Sequence, residues 1–226
     1  MSVINEHASP AQSRGIRWTV TAILVFMLVA VAGFVYRMQQ PRVMSEAELK
    51  VNGLYLLQTP RNFGEINLTH HTGHPIPRDR VEGRWSLVLF GFTYCPDICP
   101  PTMAFLNEFV ARLEAGEVAD TQVVLVSVDP ARDTVDQMAT YVPYFNPDFI
   151  GVTGEFLDIH RFATALNTPF RRVPGQDDDS YVVDHSANVV LINPRGDYHG
   201  FFKAPLDLEK MTVTYRSARA AWDKAH

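Results

Sequence analysis

The sequence predicts an α/β domain carried behind one apolar N-terminal helix, and three observations predict it. Short apolar runs at 85–92, 121–128, 149–152 and 188–193 alternate with stretches whose apolar residues recur every three or four positions. Residues 18–36 form a run of 19 without a formal charge, enough to span a bilayer as a helix. Both cysteines, Cys95 and Cys99, fall where the first apolar run gives way to a helical period. A chain of 226 residues accommodates a short accessory segment plus one domain of about 180 residues, large enough to bury a core. Hydrophobic content of 46% beside 20% charged residues is that of a globular chain, not a disordered one. A net charge of −5 without a basic block argues against nucleic acid as a partner.

Residues 1–17 read as a polar tail and 18–36 as the anchor, with Trp18 and Tyr36 as interfacial aromatics at its ends. Arg14 and Arg17 on one side nearly balance Arg37 and Arg42 on the other, so orientation is weakly encoded. Ala30, Val31 and Ala32 match a signal-peptide cleavage pattern, but the apolar run continues through Phe34, Val35 and Tyr36. That continuation favours an uncleaved anchor, and either reading exports the domain.

Residues 37–62 read as a tether and lead-in, with one helical turn started by a capping box at Ser45 and Glu48. The domain is expected over 63–226. In it, residues 66–76 suggest two short strands around a turn at Thr72 and Gly73, where His70, His71 and His74 cluster on a solvated loop. After the central strand, Met103, Leu106, Val110 and Leu113 mark a helix that Gly116 is placed to stop. Asp129 and Pro130 end the next strand, a helix follows over 134–142, and Pro143 is expected to end it. Phe156, Ile159, Ala163 and Leu166 define one face of a further helix, with His160 beside it. The polar stretch 174–181 reads as a loop. Residues 188–193 and 198–202 form a hairpin, and Leu208, Met211, Tyr215 and Trp222 mark the last helix.

The cysteine stretch carries the chemistry. Pro100 and Pro101 fit only a first helical turn, which puts Cys99 at or beside a helix N-terminus, where the dipole favours a thiolate. Three residues separate the sulfurs, one more than in the thioredoxin-type redox pair. Soft thiolates select Cu(I), Zn or iron–sulfur centres, and two of them under-fill a four-coordinate Zn site. A third ligand is therefore sought among eight histidines. Asp97 reads as the helix cap, Asp129 as a neighbour of the site, and Met103 as core packing rather than a thioether ligand.

Four segments then carry a resemblance: FGFTYCPDICPPTM (90–103), VSVDPARDT (126–134), FNPDFIGVTG (145–154) and YVVDHSANVVLINPRG (181–196). In this order they resemble the SCO family (SCO1/SenC/PrrC). Val135 departs from the proline that many members have there. The resemblance implies a thioredoxin-like fold, a central sheet flanked by helices, behind a transmembrane anchor. It implies copper, as Cu(I) or Cu(II), bound by Cys95, Cys99 and His185, with Asp184 a candidate for orienting the imidazole. Ser186 and Ala187 stand where thioredoxin-type oxidoreductases carry a cis-proline beside their cysteines. The implied function is a metallochaperone that delivers copper to, or prepares, the dinuclear copper site of a respiratory haem–copper (cytochrome c) oxidase. Its implied partners are the copper-receiving oxidase subunit, a thioredoxin-like reductant, and membrane lipid around residues 18–36. The implied location is the periplasmic face of a bacterial inner membrane. The alternative is a membrane-anchored thiol:disulfide oxidoreductase that reduces the target's copper-ligand cysteines.

Overall fold

The computed structural model describes residues 10–39, 42–65, 67–175 and 181–226. Helix α1 (Pro10–Gln39) contains the stretch Ile16–Met38, whose mean hydropathy is 2.4 and whose side chains are exposed. By length and composition it is a helix able to cross a membrane. The first unit of the chain ends at Arg42, and Val43–His226 forms the second.

In the second unit, Ser45 opens α2 (Glu46–Val51) with the expected capping box. Its hydroxyl accepts from the Glu48 N–H while the Glu48 carboxylate accepts from the Ser45 N–H at 2.8 Å. The tether reading fails beyond this point. Residues Leu54–Arg61 form β1, an outer strand of the main sheet paired antiparallel with β10 (Tyr198–Phe202). Leu54 is fully buried, whereas Gln58 and Thr59 are exposed and Pro60 interrupts the donors, so no clean alternation advertises the strand. The folded unit therefore begins some twenty residues before position 63.

The sheet has eight strands in the order β1-β10-β9-β4-β5-β6-β2-β3. The remaining members are β2 (Leu68–His70), β3 (Pro75–Ile76), β4 (Trp85–Gly91), β5 (Thr121–Ser127), β6 (Ile150–Thr153) and β9 (Val189–Ile192). Strands β4, β5 and β6 are parallel, and β9, β10 and β1 add on antiparallel beyond β4. β2 and β3 close the other rim, so the outermost strands carry Pro60 and Pro75. Every residue of β4 is buried. Its alternation splits the core: Trp85, Leu87 and Leu89 face one layer, Val88 and Phe90 the other. Burying a side chain such as Phe90 contributes about 2 kcal/mol.

The first layer is covered by α3 (Cys99–Ala111), α5 (Val135–Phe145) and α7 (Leu208–Ala225), through Met103, Leu106, Met138, Val142, Met211 and Tyr215. The second is covered by α6 (Phe156–Ala165), through Ile159, Phe162 and Ala163. Phe156, read as part of that face, is 53% exposed because it opens the helix before the face turns inward. Gly116 does not stop α3, which ends at the Arg112 cap; it lies inside the short α4 (Ala115–Ala119). Pro143 does not stop α5 either. Near a helix C-terminus its missing N–H costs one hydrogen bond, and the helix runs on to Phe145.

One feature has no sequence counterpart. β7 (Arg171–Pro174) and β8 (Tyr181–Asp184) pair antiparallel as a separate two-stranded sheet on either side of the stretch read as a loop. Its side chains are mostly exposed, so neither strand shows an apolar period. The acidic triplet expected in this stretch lies outside the described residues.

Candidate metal centre

β4 delivers the chain to the cysteine turn at its C-terminal end. Phe92 remains in the core, the Cys95 N–H donates to the Phe92 carbonyl at 3.1 Å, and Cys99 becomes the first residue of α3. Ile98, in helical conformation, occupies the cap position. Asp97 is exposed and caps nothing, contrary to expectation. Pro100 and Pro101 occupy the first turn, as their missing donors require.

Both cysteines are free thiols, 7% and 1% exposed. Gly91 makes room for one of them. A Cβ at this position would stand 2.6 Å from the Cys99 sulfur, so any side chain there collides with it. His185 follows directly on β8 and is half-buried against the Phe92 ring, centroid to centroid 5.7 Å. Its Nε2 lies 3.7 Å from Cys99 Sγ and its Nδ1 lies 3.2 Å from the Ser186 carbonyl. A carbonyl only accepts, so the Ser186 contact is satisfied by the tautomer that carries its proton on Nδ1, and that tautomer turns the Nε2 lone pair towards the sulfur. One donor atom from each of Cys95, Cys99 and His185 lies within 4.8 Å of the others, the one such group of three among the described residues.

The electrostatics differ from the sequence reading at one point. Burial, reinforced by the neighbouring Cys95, pushes the Cys99 thiol far above the ordinary cysteine range, against a smaller opposing effect of a hydrogen bond with the Phe92 backbone. Without metal, Cys99 is a protonated thiol, and an incoming cation must displace its proton. His185 goes the opposite way. Burial lowers its pKa, with smaller opposing effects from Ser186 and Asp184, so the imidazole is neutral and ready to donate. Asp184 does not orient the ring: its carboxylate pairs with Arg171 at 3.1 Å on the exposed side.

Asp129 is buried, but its carboxylate is taken by the Tyr181 hydroxyl at 2.7 Å and by Arg132 rather than by the thiols or the imidazole. Met103 sits wholly inside the α3-side core. The His70 and His71 rings contact each other at 4.3 Å, and their Nδ1 atoms accept from the Thr72 and Gly151 N–H groups; His74 is exposed.

A residue that sequence reading passed over anchors the turn. Asp133 is fully buried and accepts from the Thr93 N–H at 3.1 Å, the Thr93 hydroxyl at 2.7 Å and the Ser127 hydroxyl at 2.6 Å. Its carbonyl accepts from the Thr153 hydroxyl at 2.8 Å. It thereby ties the cysteine turn to the ends of β5 and β6. Its sequence signal, an acid between a strand and the Thr134 helix cap, does not differ from that of a solvated turn.

The SCO1/SenC family model matches residues 57–219 of this chain. The chain belongs to the SCO1/SenC family. A Stutzerimonas stutzeri protein described as copper-binding is 38% identical over 155 residues, covering 68% of this chain and 75% of that one. The human mitochondrial protein SCO2 homolog is 34% identical over 168 residues, covering 74% of this chain and 63% of its own length. Among solved structures, copper-bound Arabidopsis thaliana ScoI superposes with a TM-score of 0.63 at 31% identity, over 69% of this chain and 98% of that one. Copper-bound yeast Sco1 gives a TM-score of 0.63 at 26% identity, over 74% and 91%. The domain thus has the thioredoxin-like fold of the family, a sheet flanked by helices on both faces.

Proposed function

We propose that this family member is a membrane-anchored copper metallochaperone that holds one copper through Cys95, Cys99 and His185. It delivers that copper to, or prepares, the dinuclear copper site of a cytochrome c oxidase. The convergence of two thiol sulfurs and one imidazole nitrogen within 4.8 Å carries the reading. Two soft donors and one borderline donor suit Cu(I) and fall short of a closed zinc site. The curated relatives named SCO2 and the copper-bound Sco structures support the same assignment. Both thiols lose their protons as copper enters, while the neutral imidazole donates without proton release. Three ligands leave copper open to attack by a fourth, the donor of a receiving subunit.

α1 serves as the anchor in this reading, with the copper domain on the periplasmic face of a bacterial inner membrane. There the thiol pair meets an oxidising environment, and a thioredoxin-like reductant keeps it able to load Cu(I). Extraction of the membrane fraction at alkaline pH should leave the full chain with the lipid. A soluble mature form beginning at Gly33 would count against an anchor.

A second reading has its own support in the proximity of the two free thiols. As a thiol:disulfide oxidoreductase, the chain would form one disulfide and pass two electrons and two protons to a disulfide of its target, leaving two target thiols. Cu(I) titration beside a disulfide-reductase assay separates the two. One equivalent of tightly held copper, lost in Cys99→Ser, supports the chaperone; full stoichiometric binding by that variant refutes the site.

A further inference from the structure

His185 is carried by β8, which lies in a two-stranded sheet with no strand-to-strand hydrogen bonds to the main one, yet its imidazole sits 3.7 Å from Cys99 Sγ. Something other than sheet pairing fixes that approach. At the first residue of β8, the Tyr181 hydroxyl donates to Asp129 Oδ1 at 2.7 Å. Its carbonyl accepts from Arg132 Nη2 at 3.3 Å, and the Arg132 guanidinium lies 3.8 Å from its ring centroid. Arg132 Nε donates to the other oxygen of the same Asp129 carboxylate. Asp129 is 4% exposed, so both partners satisfy a carboxylate almost wholly withdrawn from water. The same guanidinium lies 5.6 Å from the Phe92 ring and 5.2 Å from the Tyr94 ring, both on the cysteine turn. Phe92 in turn meets the His185 imidazole.

We propose that Asp129, Arg132 and Tyr181 form a latch that positions His185 for the metal, making Tyr181 and Arg132 positioning residues of the copper site. The inference rests on the metallochaperone reading. The planar fork of Arg132 is what allows one side chain to reach the carboxylate, the Tyr181 carbonyl and the aromatic rings of both half-sites together. Only three residues separate Tyr181 from His185, so a shift at the latch moves the imidazole. The cysteines, held by β4 and α3, do not move with it.

The test measures the rate at which the copper-loaded full chain gives up Cu(I) to a chromophoric chelator, in a double-mutant cycle of Tyr181→Phe with His185→Ala. Tyr181→Phe keeps the ring and removes the bond to a charged acceptor; with His185 present it should speed copper loss about tenfold. Combined with His185→Ala it should add less than about twofold, because the residue acts only through the imidazole. Arg132→Lys, which keeps the charge and loses the fork, should give the same pattern. The 15N resonance of His185 should shift in both variants while the unfolding midpoint stays near that of the wild type. Tyr181→Phe losing copper at the wild-type rate, or accelerating loss equally with and without His185, overturns the latch alone. If His185→Ala itself leaves copper retention unchanged, the metal site is wrong and the latch falls with it.

Discussion

The two halves of the metal centre are built on different principles. The cysteine half is part of the core: a strand buried along its whole length leads in, a helix leads out, and the fully buried Asp133 pins the turn between them. The histidine half is an appendage, borne by a two-stranded sheet whose residues are largely exposed and held by the buried Val183 and by the contacts of Tyr181 with Asp129 and Arg132. Buried regions resist distortion because every shift opens voids or breaks satisfied polar groups; exposed hairpins with few apolar anchors do not. A carrier benefits from this asymmetry, since the cargo must be kept and also surrendered. Under the proposed function the sulfurs would retain the copper, and the imidazole would be the ligand that an acceptor displaces first.

The largest break in this comparison comes at the sulfurs. Cys99→Ser replaces a soft thiolate by a hard hydroxyl and should abolish tight Cu(I) binding, whereas His185→Ala should weaken retention and leave copper attached. Chelator competition on both variants decides it, and equal losses would remove the division of labour. Next is Asp133→Ala, which strands two hydroxyls and one N–H in the interior. It should cost about 3–5 kcal/mol of stability in urea unfolding and release the cysteine turn. A variant as stable as wild type would mean that the turn is held by its flanking elements alone.

Gly91→Ala sharpens the contrast with a single methyl group. The added carbon would meet Cys99 Sγ at 2.6 Å and Leu125 at 3.2 Å, in a half-site too tightly packed to yield. We expect a loss of about 2–3 kcal/mol together with weakened copper binding; unchanged unfolding and affinity would reveal more give than a core position should have. The smallest effect supplies a control remote from both half-sites. His199 packs against Trp85 and Trp222, and burial lowers its pKa from 6.5 to about 4. Its folded-state pKa lies below the unfolded one, so its contribution is complete above pH 6.5 and is lost as the pH falls towards 4. Between pH 7.5 and 5 this amounts to about 2 kcal/mol, which His199→Phe should remove from the pH profile of the urea midpoint. An identical pH slope in that variant would assign the loss elsewhere.

Much of this was legible in the chain. The apolar runs 85–92 and 121–128 are long, uninterrupted and bounded by turn signals, and they appear as β4 and β5. The spacing of Cys95 and Cys99 after a strand and before two prolines placed both on the strand-to-helix turn and Cys99 at the start of the helix. His185 was legible only through the family resemblance, because nothing within its own segment says that the chain folds back over Phe92. A strand whose partner lies far along the chain, as with β1, or whose faces are wet, as with β7 and β8, leaves no period to read. The sign of the Cys99 shift was misjudged for a related reason: a helix terminus is visible in sequence, but the depth at which it is buried is a tertiary property. Asp133 and Gly91 are significant only through what surrounds them, and those neighbours are contributed by other strands and helices.

The prolines on the two rims of the sheet have a consequence for how this molecule behaves in company. An open sheet invites another chain to add a strand wherever its outer edge presents an unbroken row of donors and acceptors. β1 carries Pro60 and a register irregularity between Leu56 and Arg61, and β3 is two residues long and begins with Pro75. Neither rim offers a continuous ladder to a second copy. Many such domains crowded together are thereby protected from polymerising edge to edge.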